Sequence, residues 1–473
     1  MQCSSNEGKY NKKGVSKMKK VLKIVSFLVV CLAFLSFFEM SSSKNISAAS
    51  YSVSAKYNSS EKSVTVTYSG VSTSSKDWIG IYKSTTKPSE FAVGAALAWV
   101  YPKSSQGTVK FTSSNFINSE YSPQKGETLE DGKYKAVILR NNGYEIGATG
   151  YFTVGKGEPK YEFDVYSDSH LVASTNETSN VLDAALKDIK NFAPKTKAII
   201  SNGDAVDQAD WSLYSKLRNI YYNNRVNLPP VYFNLGNHEL FDDSHATNYK
   251  ATSFNVKFKD KFLYFSKDIH YNLTGRTLAS DDREKPYYEE VINNNHFIFL
   301  ASESVAAGDK MDLSKEQLDW LDNKLWHIQN DEADQPVFVF GHGSLLNTVA
   351  GSYTSQNWSG VSQDGQLKFI LNKYPNVVYI TGHSHWNLNA NNTVFEGTAT
   401  YGGGVGATCV NDGGLWHVWC DADREVPGTS QGLHVMVYND RLIIKGRDYQ
   451  NKKWIARYVI DLNKHYDSLH KIY

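Results

Sequence analysis

Five short apolar runs each break off into a cluster of carboxylate, amide or imidazole side chains, and this pattern leaves few architectures open. Phe163–Tyr166 runs into Asp168 and His170, and Ala198–Ile200 into Asn202-Gly203-Asp204-Ala205-Val206-Asp207. Val231–Leu235 runs into Gly236-Asn237-His238-Glu239, Val337–Phe340 into Gly341-His342-Gly343, and Val377–Ile380 into Gly382-His383-Ser384-His385. Every cluster follows its run and none precedes it. In an α/β sheet the loops beyond strand C-termini converge on one crevice, so residues far apart in sequence can share a site there. The glycines at 203, 236, 341 and 382 suit turns where the chain bends sharply.

Between these runs, 181–192, 211–222, 315–327 and 366–374 carry apolar residues at helical spacing, the third preceded by Ser314 as an N-cap. Strands alternating with helices predict a layered α/β domain. Beyond residue 397 strands dominate again, and Val435–Tyr438, an Asn439-Asp440 turn and Arg441–Ile444 read as a hairpin.

The clusters supply Asp168, His170, Asp204, Asn237, His238, His342, His383 and His385. Hard oxygen donors mixed with imidazoles suit manganese, iron or zinc and fit calcium or thiolate-loving metals poorly. A single Gly-His pair is common and a lone histidine after a strand is usually structural. Five such blocks in order are far more specific.

The order DxH, GDxxD, GNHE, GH, GHxH resembles the calcineurin-like metallophosphoesterase family over roughly 160–460. The resemblance implies a layered α/β domain with sheets flanked by helices, two divalent or mixed-valence metal ions, and hydrolysis of phosphate mono- or diesters by a metal-bridging hydroxide. It implies that Asp168, His170 and His385 hold one ion, Asn237, His342 and His383 the other, and that Asp204 bridges them. His238 is then not a ligand but contacts a phosphate oxygen or protonates the leaving alkoxide. Glu239 and Asp207 either orient a ligand imidazole or cap the following segment. Purple acid phosphatases, a related group, have an iron-binding tyrosine where this chain has Asp207, so a colourless enzyme is expected.

Residues 50–155 are rich in Ser, Thr, Val and Tyr, with alternating stretches at 63–68 and 133–139 separated by turn residues, a pattern that predicts an all-β sandwich. Asp77-Trp78-Ile79-Gly80-Ile81-Tyr82 resembles SKICH-like and other immunoglobulin-like modules, which implies positioning or recognition, including cell-surface or glycan contact, and no chemistry. Gly155–Pro159 reads as a linker, leaving 156–473 as the catalytic domain.

Six lysines between Lys12 and Lys23 precede an apolar run, Ile24–Phe38, and then Ser47-Ala48-Ala49, the order of a secretory signal over 1–49. The run has 15 residues, short of the ~20 that span a bilayer, so membrane contact is expected only through this segment. Residues 1–49 carry a net charge of +6, and their removal takes the formal charge from +1 to −5. No basic footprint therefore favours a nucleic-acid partner. Cys409 and Cys420 remain after cleavage, and an even pair in an exported chain predicts a disulfide.

Several motifs fail on inspection. The glycine run 401–406 lacks the lysine of a phosphate-binding loop, and no Gly-x-Ser-x-Gly elbow surrounds Ser344. The aromatics at 264, 271, 287, 288, 353, 358, 416, 417 and 419 read as loop residues at the catalytic edge, which either stack on a substrate ring or pack on the protein itself, with Trp386 better placed near the site than the rest. The expected function is a secreted phosphoesterase acting on a phosphate-ester small molecule. Its rivals are a cell-surface binding protein with an inert site and an exported nuclease.

Overall fold

A computed structural model describes residues 50–462 apart from 92–95, 116–128, 156, 242–255, 275–284, 305–307, 332–334, 396–405 and 422–423. The segment read as a secretory signal and most of the glycine run lie outside the described residues.

Strands β1 (Ser52–Asn58), β2 (Ser63–Ser69), β3 (Trp78–Lys83), β4 (Ala98–Val100), β5 (Gln106–Phe111), β6 (Gly132–Arg140) and β7 (Glu145–Val154) come first. They form a three-stranded sheet, β1-β2-β5, and a four-stranded sheet, β4-β3-β6-β7, both antiparallel. Alternation sends Val64 and Val66 of one sheet and Ile79, Ile81, Ala136 and Ile138 of the other into one core. Asp77, from the hexapeptide singled out above, is buried and accepts from the Ser72 amide at 2.9 Å, the Asn141 amide at 2.9 Å and the Tyr51 hydroxyl at 3.0 Å. Its work is to pin three loops together.

The following strands are β8 (Tyr161–Tyr166), β9 (Ile199–Asn202), β10 (Val231–Asn234), β11 (Tyr288–Ile292), β12 (Asn295–Phe299), β13 (Val337–Phe340) and β14 (Val377–Thr381). Then come β15 (Val394–Phe395), β16 (Thr408–Asn411), β17 (Trp419–Asp421), β18 (Arg424–Glu425), β19 (Gln431–Val437), β20 (Arg441–Asp448) and β21 (Lys453–Asp461). Two six-stranded mixed sheets result, β10-β9-β8-β19-β20-β21 and β11-β12-β13-β14-β16-β15. Phe163, Phe297, Phe338 and Phe340 meet between them, with Val435 and Ile444 from the C-terminal strands. Helices α1 (Glu177–Phe192), α2 (Trp211–Asn224) and α3 (Val256–Thr274) cover the outer face of the first sheet, and α4 (Lys315–Asp331) and α5 (Asp364–Leu371) that of the second. The expected layered α/β domain is present, with two sheets at its centre.

Helix starts follow local chemistry. Ser314 Oγ accepts from the Gln317 amide at 3.1 Å, as its N-cap position predicts. The hairpin forms as read, with Val437 opposite Leu442. Three sequence expectations are corrected. Residues 256–274, read as loop, are helix α3, where Tyr264 stands on the surface. Tyr288 lies buried on β11, stacked on Phe299. Cys409 and Cys420 are free thiols. Cys409 sits inside the second sheet opposite Tyr379 and Phe395, whereas Cys420 is on the separate β17–β18 ribbon, where its sulfur accepts from the Arg424 guanidinium at 2.9 Å.

The N-terminal sheets are tied to β20 by charge. Lys445 Nζ lies 2.5 Å from Glu130 Oε1, and Arg441 pairs with Asp131. Burial pushes the Glu130 carboxyl up, but Lys445, Lys83 and Arg457 outweigh it and hold it down at about 2. Burial wins at Lys445, lowering it to about 8 against the pull of Glu130. Because Glu130 lies below its ordinary 4.5, its contribution is complete above that pH and is lost as pH falls towards about 2. Glu130→Gln leaves the Lys445 charge buried without its partner, which should cost about 3 kcal/mol at pH 7. Urea melts of both chains should show that gap narrowing as pH falls towards about 2.

Candidate metal centre

The ends of β8, β9, β10, β13 and β14 bring all the sequence-predicted residues to one edge of the two sheets. Among the described residues, three groups of donor atoms lie close enough to hold a metal ion: Asp168, His170 and His385; Asp204, His342 and His383; and His170, Asp207 and His238. His385 Nε2 is 3.2 Å from Asp168 Oδ1 and from His170 Nε2. Asp204 Oδ2 is 2.9 Å from His342 Nε2 and 3.8 Å from His170 Nε2, so this carboxylate faces both halves. Asn237 is buried, and the next residue, His238, donates its amide to Asp204 Oδ1 at 2.9 Å.

The backbone is bent to achieve this. Asp168, His170, Asp204, His383 and His385 have φ between +40° and +66°, the left-handed region that side chains other than glycine rarely adopt. Such strain persists only where the surroundings over-determine it, and it concentrates at functional sites. At Gly203 (φ +95°) an added Cβ would lie 2.5 Å from His342 Nδ1, so this turn admits no side chain.

The imidazoles are oriented from behind. His342 Nδ1 donates to the Asn202 carbonyl at 2.8 Å, His385 Nδ1 donates to the Trp416 carbonyl, and His170 Nδ1 lies 3.4 Å from Asp207 Oδ1. Each ring thus turns Nε2 towards the centre, the arrangement by which proteins fix a ligand imidazole. Asp168 Oδ1, Asn237 Oδ1 and His342 Nε2 are buried and make no well-formed hydrogen bond among the described residues; Asp168 Oδ1 and His342 Nε2 instead face other donors of the centre, His385 Nε2 at 3.2 Å and Asp204 Oδ2 at 2.9 Å. Buried polar atoms are nearly always satisfied, so buried donor atoms crowded together in this way fit a bound cation. Burial pushes His170 and His342 down, yet the neighbouring carboxylates outweigh it and hold both up to about 10. A field that keeps buried imidazoles charged also favours a metal ion. Burial, reinforced by the His342 charge, takes His383 down to about 3 and presents a neutral ring.

Glu239 neither orients an imidazole nor caps the next segment. Its buried carboxylate accepts from the amides of Asp204 (3.0 Å), Ala205 (2.6 Å), Val206 (3.2 Å) and Gly236 (2.7 Å), clamping two of the loops together. Asp207 takes the orienting role, with Oδ1 3.4 Å from Nδ1 of both His170 and His238. His238 Nδ1 donates to the Asp207 carbonyl at 3.0 Å, leaving Nε2 for a substrate. Trp386 is buried, so it packs and does not face a substrate. Half-buried Trp358 packs edge-on against His383, and Phe241 against His238.

Gly236 makes the clamp possible. A Cβ there would lie 2.2 Å from Asp204 Oδ1 and 2.6 Å from the Asp204 amide. Gly236→Ala should displace Asp204 and weaken Mn²⁺ binding by about tenfold or more, with the circular dichroism spectrum unchanged; calorimetric titration checks both halves of that expectation.

Residues 161–387, which hold every candidate ligand, match the profile of the family described as calcineurin-like phosphoesterase. The chain is therefore a hydrolase acting on phosphoric ester bonds. Over 161–387 it is similar to the calcineurin-like phosphoesterases. No curated protein matches the chain. Among solved structures it is similar to the purple acid phosphatase PPD1 from yellow lupin (Lupinus luteus) seeds, at 14% identity and TM-score 0.44 over 87% of this chain and 74% of that one. It is also similar to PhoD, at 12% identity and TM-score 0.36 over 86% of this chain and 88% of that one. GAP50 of Plasmodium matches at 14% identity and TM-score 0.34 over 65% of this chain and 94% of that one. Likeness at this level assigns no substrate.

Proposed function

We propose that this chain is an exported phosphoesterase that depends on two metal ions, of manganese, iron or zinc, and hydrolyses phosphate mono- or diesters. The observation that carries the reading is Asp204, whose Oδ2 faces His342 on one side and His170 on the other, within two neighbouring His/carboxylate groups. Asp168, His170 and His385 would hold one ion, Asn237, His342 and His383 the other, and Asp204 both. When bound, such a pair activates water as a nucleophile near neutral pH and neutralises charge on the phosphoryl oxygens.

The protein's own groups do the rest. Glu239 fixes the loops that present Asp204 and Asn237. His238, held by Asp207, directs Nε2 at the substrate, where it hydrogen-bonds a phosphate oxygen or protonates the leaving alkoxide. Export rests on the Lys-rich, apolar and small-residue order of 1–49. Residues 50–155 are proposed as a SKICH-like or immunoglobulin-like accessory domain and 156–473 as the catalytic domain. A glycan or cell-surface contact for the accessory domain is supported by the exposed rings of Trp99, Tyr101 and Tyr144.

The test is release of p-nitrophenol from mono- and bis-(p-nitrophenyl) phosphate by the full chain with Mn²⁺, then with chelator. Hydrolysis that the chelator stops supports the reading. Inactivity on both esters favours a binding protein with an inert site, and cleavage of single or double strands in a gel points to a nuclease.

A further inference from the structure

One buried carboxyl group behind the centre lies beyond the segment that matches the phosphoesterase family. Asp412 follows β16, and its amide donates to the Thr381 carbonyl at 2.8 Å, which fixes it beneath the loop that carries His383 and His385. Its side chain has no exposure to solvent. Burial and then the Asp168 charge push its pKa up to about 7. A carboxyl group taken wholly out of water is costly unless its contacts compensate, so what it touches matters.

Asp412 Oδ1 lies 2.6 Å from Ser167 Oγ, and that hydroxyl donates in turn to Asp168 Oδ2. Asp412 Oδ2 accepts from Asn202 Nδ2 at 2.8 Å, and the Asn202 carbonyl is the group that accepts from His342 Nδ1 at 2.8 Å. Asn202 is itself held by Asn234, whose Nδ2 donates to Asn202 Oδ1 at 3.0 Å. One side chain is thus bonded to the supports of a carboxylate in the first group and of an imidazole in the second. It spans the two sheets, since Ser167 follows β8 and Asn202 ends β9 while Asp412 follows a strand of the other sheet.

We infer that Asp412 is a positioning residue that sets Asp168 through Ser167 and His342 through Asn202, holding the two halves of the metal centre in register. The inference rests on the proposed two-metal reading and adds to it a residue outside the five sequence blocks. Ser167 has one hydroxyl proton and lies between two carboxyl groups. Giving that proton to Asp168 leaves its lone pairs towards Asp412, so the 2.6 Å contact there needs the hydrogen on Asp412, and an asparagine N–H supplies one at the same place. The asparagine carbonyl oxygen can still accept from Asn202. Asparagine should therefore replace Asp412 and alanine should not.

The full chain and its Asp412→Ala, Asp412→Asn and Ser167→Ala variants are titrated with Mn²⁺ by calorimetry, with circular dichroism and melting temperature recorded for each. Removing a group that orients ligands typically lowers metal affinity 10–100-fold, so Asp412→Ala should lose about that much and Ser167→Ala about tenfold. Asp412→Asn should stay within about threefold of the unsubstituted chain, because both contacts persist. Unchanged affinity in Asp412→Ala, or a loss in Asp412→Asn as large as in Asp412→Ala, overturns the inference. Should Asp412→Ala fail to fold, Ser167→Ala decides, since it removes only a hydroxyl; wild-type affinity there also overturns it. An unsubstituted chain that takes up no ion overturns the two-metal reading and this inference together, whereas uptake indifferent to Asp412 overturns the positioning role alone.

Discussion

Replacing Asp204 by alanine is expected to lower kcat on p-nitrophenyl phosphate about a thousandfold or more while the chain stays folded. Its Oδ2 is the carboxylate oxygen that faces both donor groups, and its Oδ1 accepts from the His238 amide at 2.9 Å. The substitution therefore strikes the centre and the positioning of His238 at once. Metal clamping of a phosphoryl group is worth several kcal/mol in the transition state, and about 4 kcal/mol corresponds to a thousandfold in rate. Asp204→Asn keeps the volume and the contact with the His238 amide but loses the charge, so it should also bind metal poorly. Steady-state rates together with Mn²⁺ titration check both variants. Wild-type kcat in either one would remove Asp204 from the mechanism.

The second large effect is at His238. Its alanine variant should lose about 10² to 10⁴ in kcat, the usual range for a positioned proton donor, while still taking up metal as the unsubstituted chain does. That retained uptake separates His238 from the ligands. The substrate separates its two roles. If His238 protonates the leaving group, the loss is greater on an alkyl phosphate, whose alkoxide needs the proton, than on p-nitrophenyl phosphate. If it only hydrogen-bonds a phosphate oxygen, the two losses are equal. A variant as active as the parent on both esters would make His238 a bystander.

Much of this centre was legible in the chain because each donor follows its own apolar run, and strand ends converge in an α/β sheet whatever the intervening loops contain. Asp168, His170 and His385 lie together, as do Asp204, His342 and His383. What the sequence concealed is the layer behind them. Asp412 and Asn202 meet only because strands of different sheets end side by side, and no spacing along the chain signals that contact. Glu239 was visible as part of a block, but its hydrogen bonds go to backbone amides, which residue types do not reveal. Helix α3 was missed because an aromatic-rich stretch between strands resembles a specificity loop when read by composition. The cysteine pair misled for the opposite reason: short separation suggested a bond, while the fold places Cys409 inside a sheet and Cys420 on a separate ribbon.

Metal content is the decisive measurement for a two-ion centre. Elemental analysis of the purified full chain, equilibrated with Mn²⁺ and freed of excess by dialysis, should give two ions per chain, with fewer in Asp204→Ala, and activity should vanish and return with them. A chain that carries no ion yet hydrolyses phosphate esters in the presence of chelator would contradict the account.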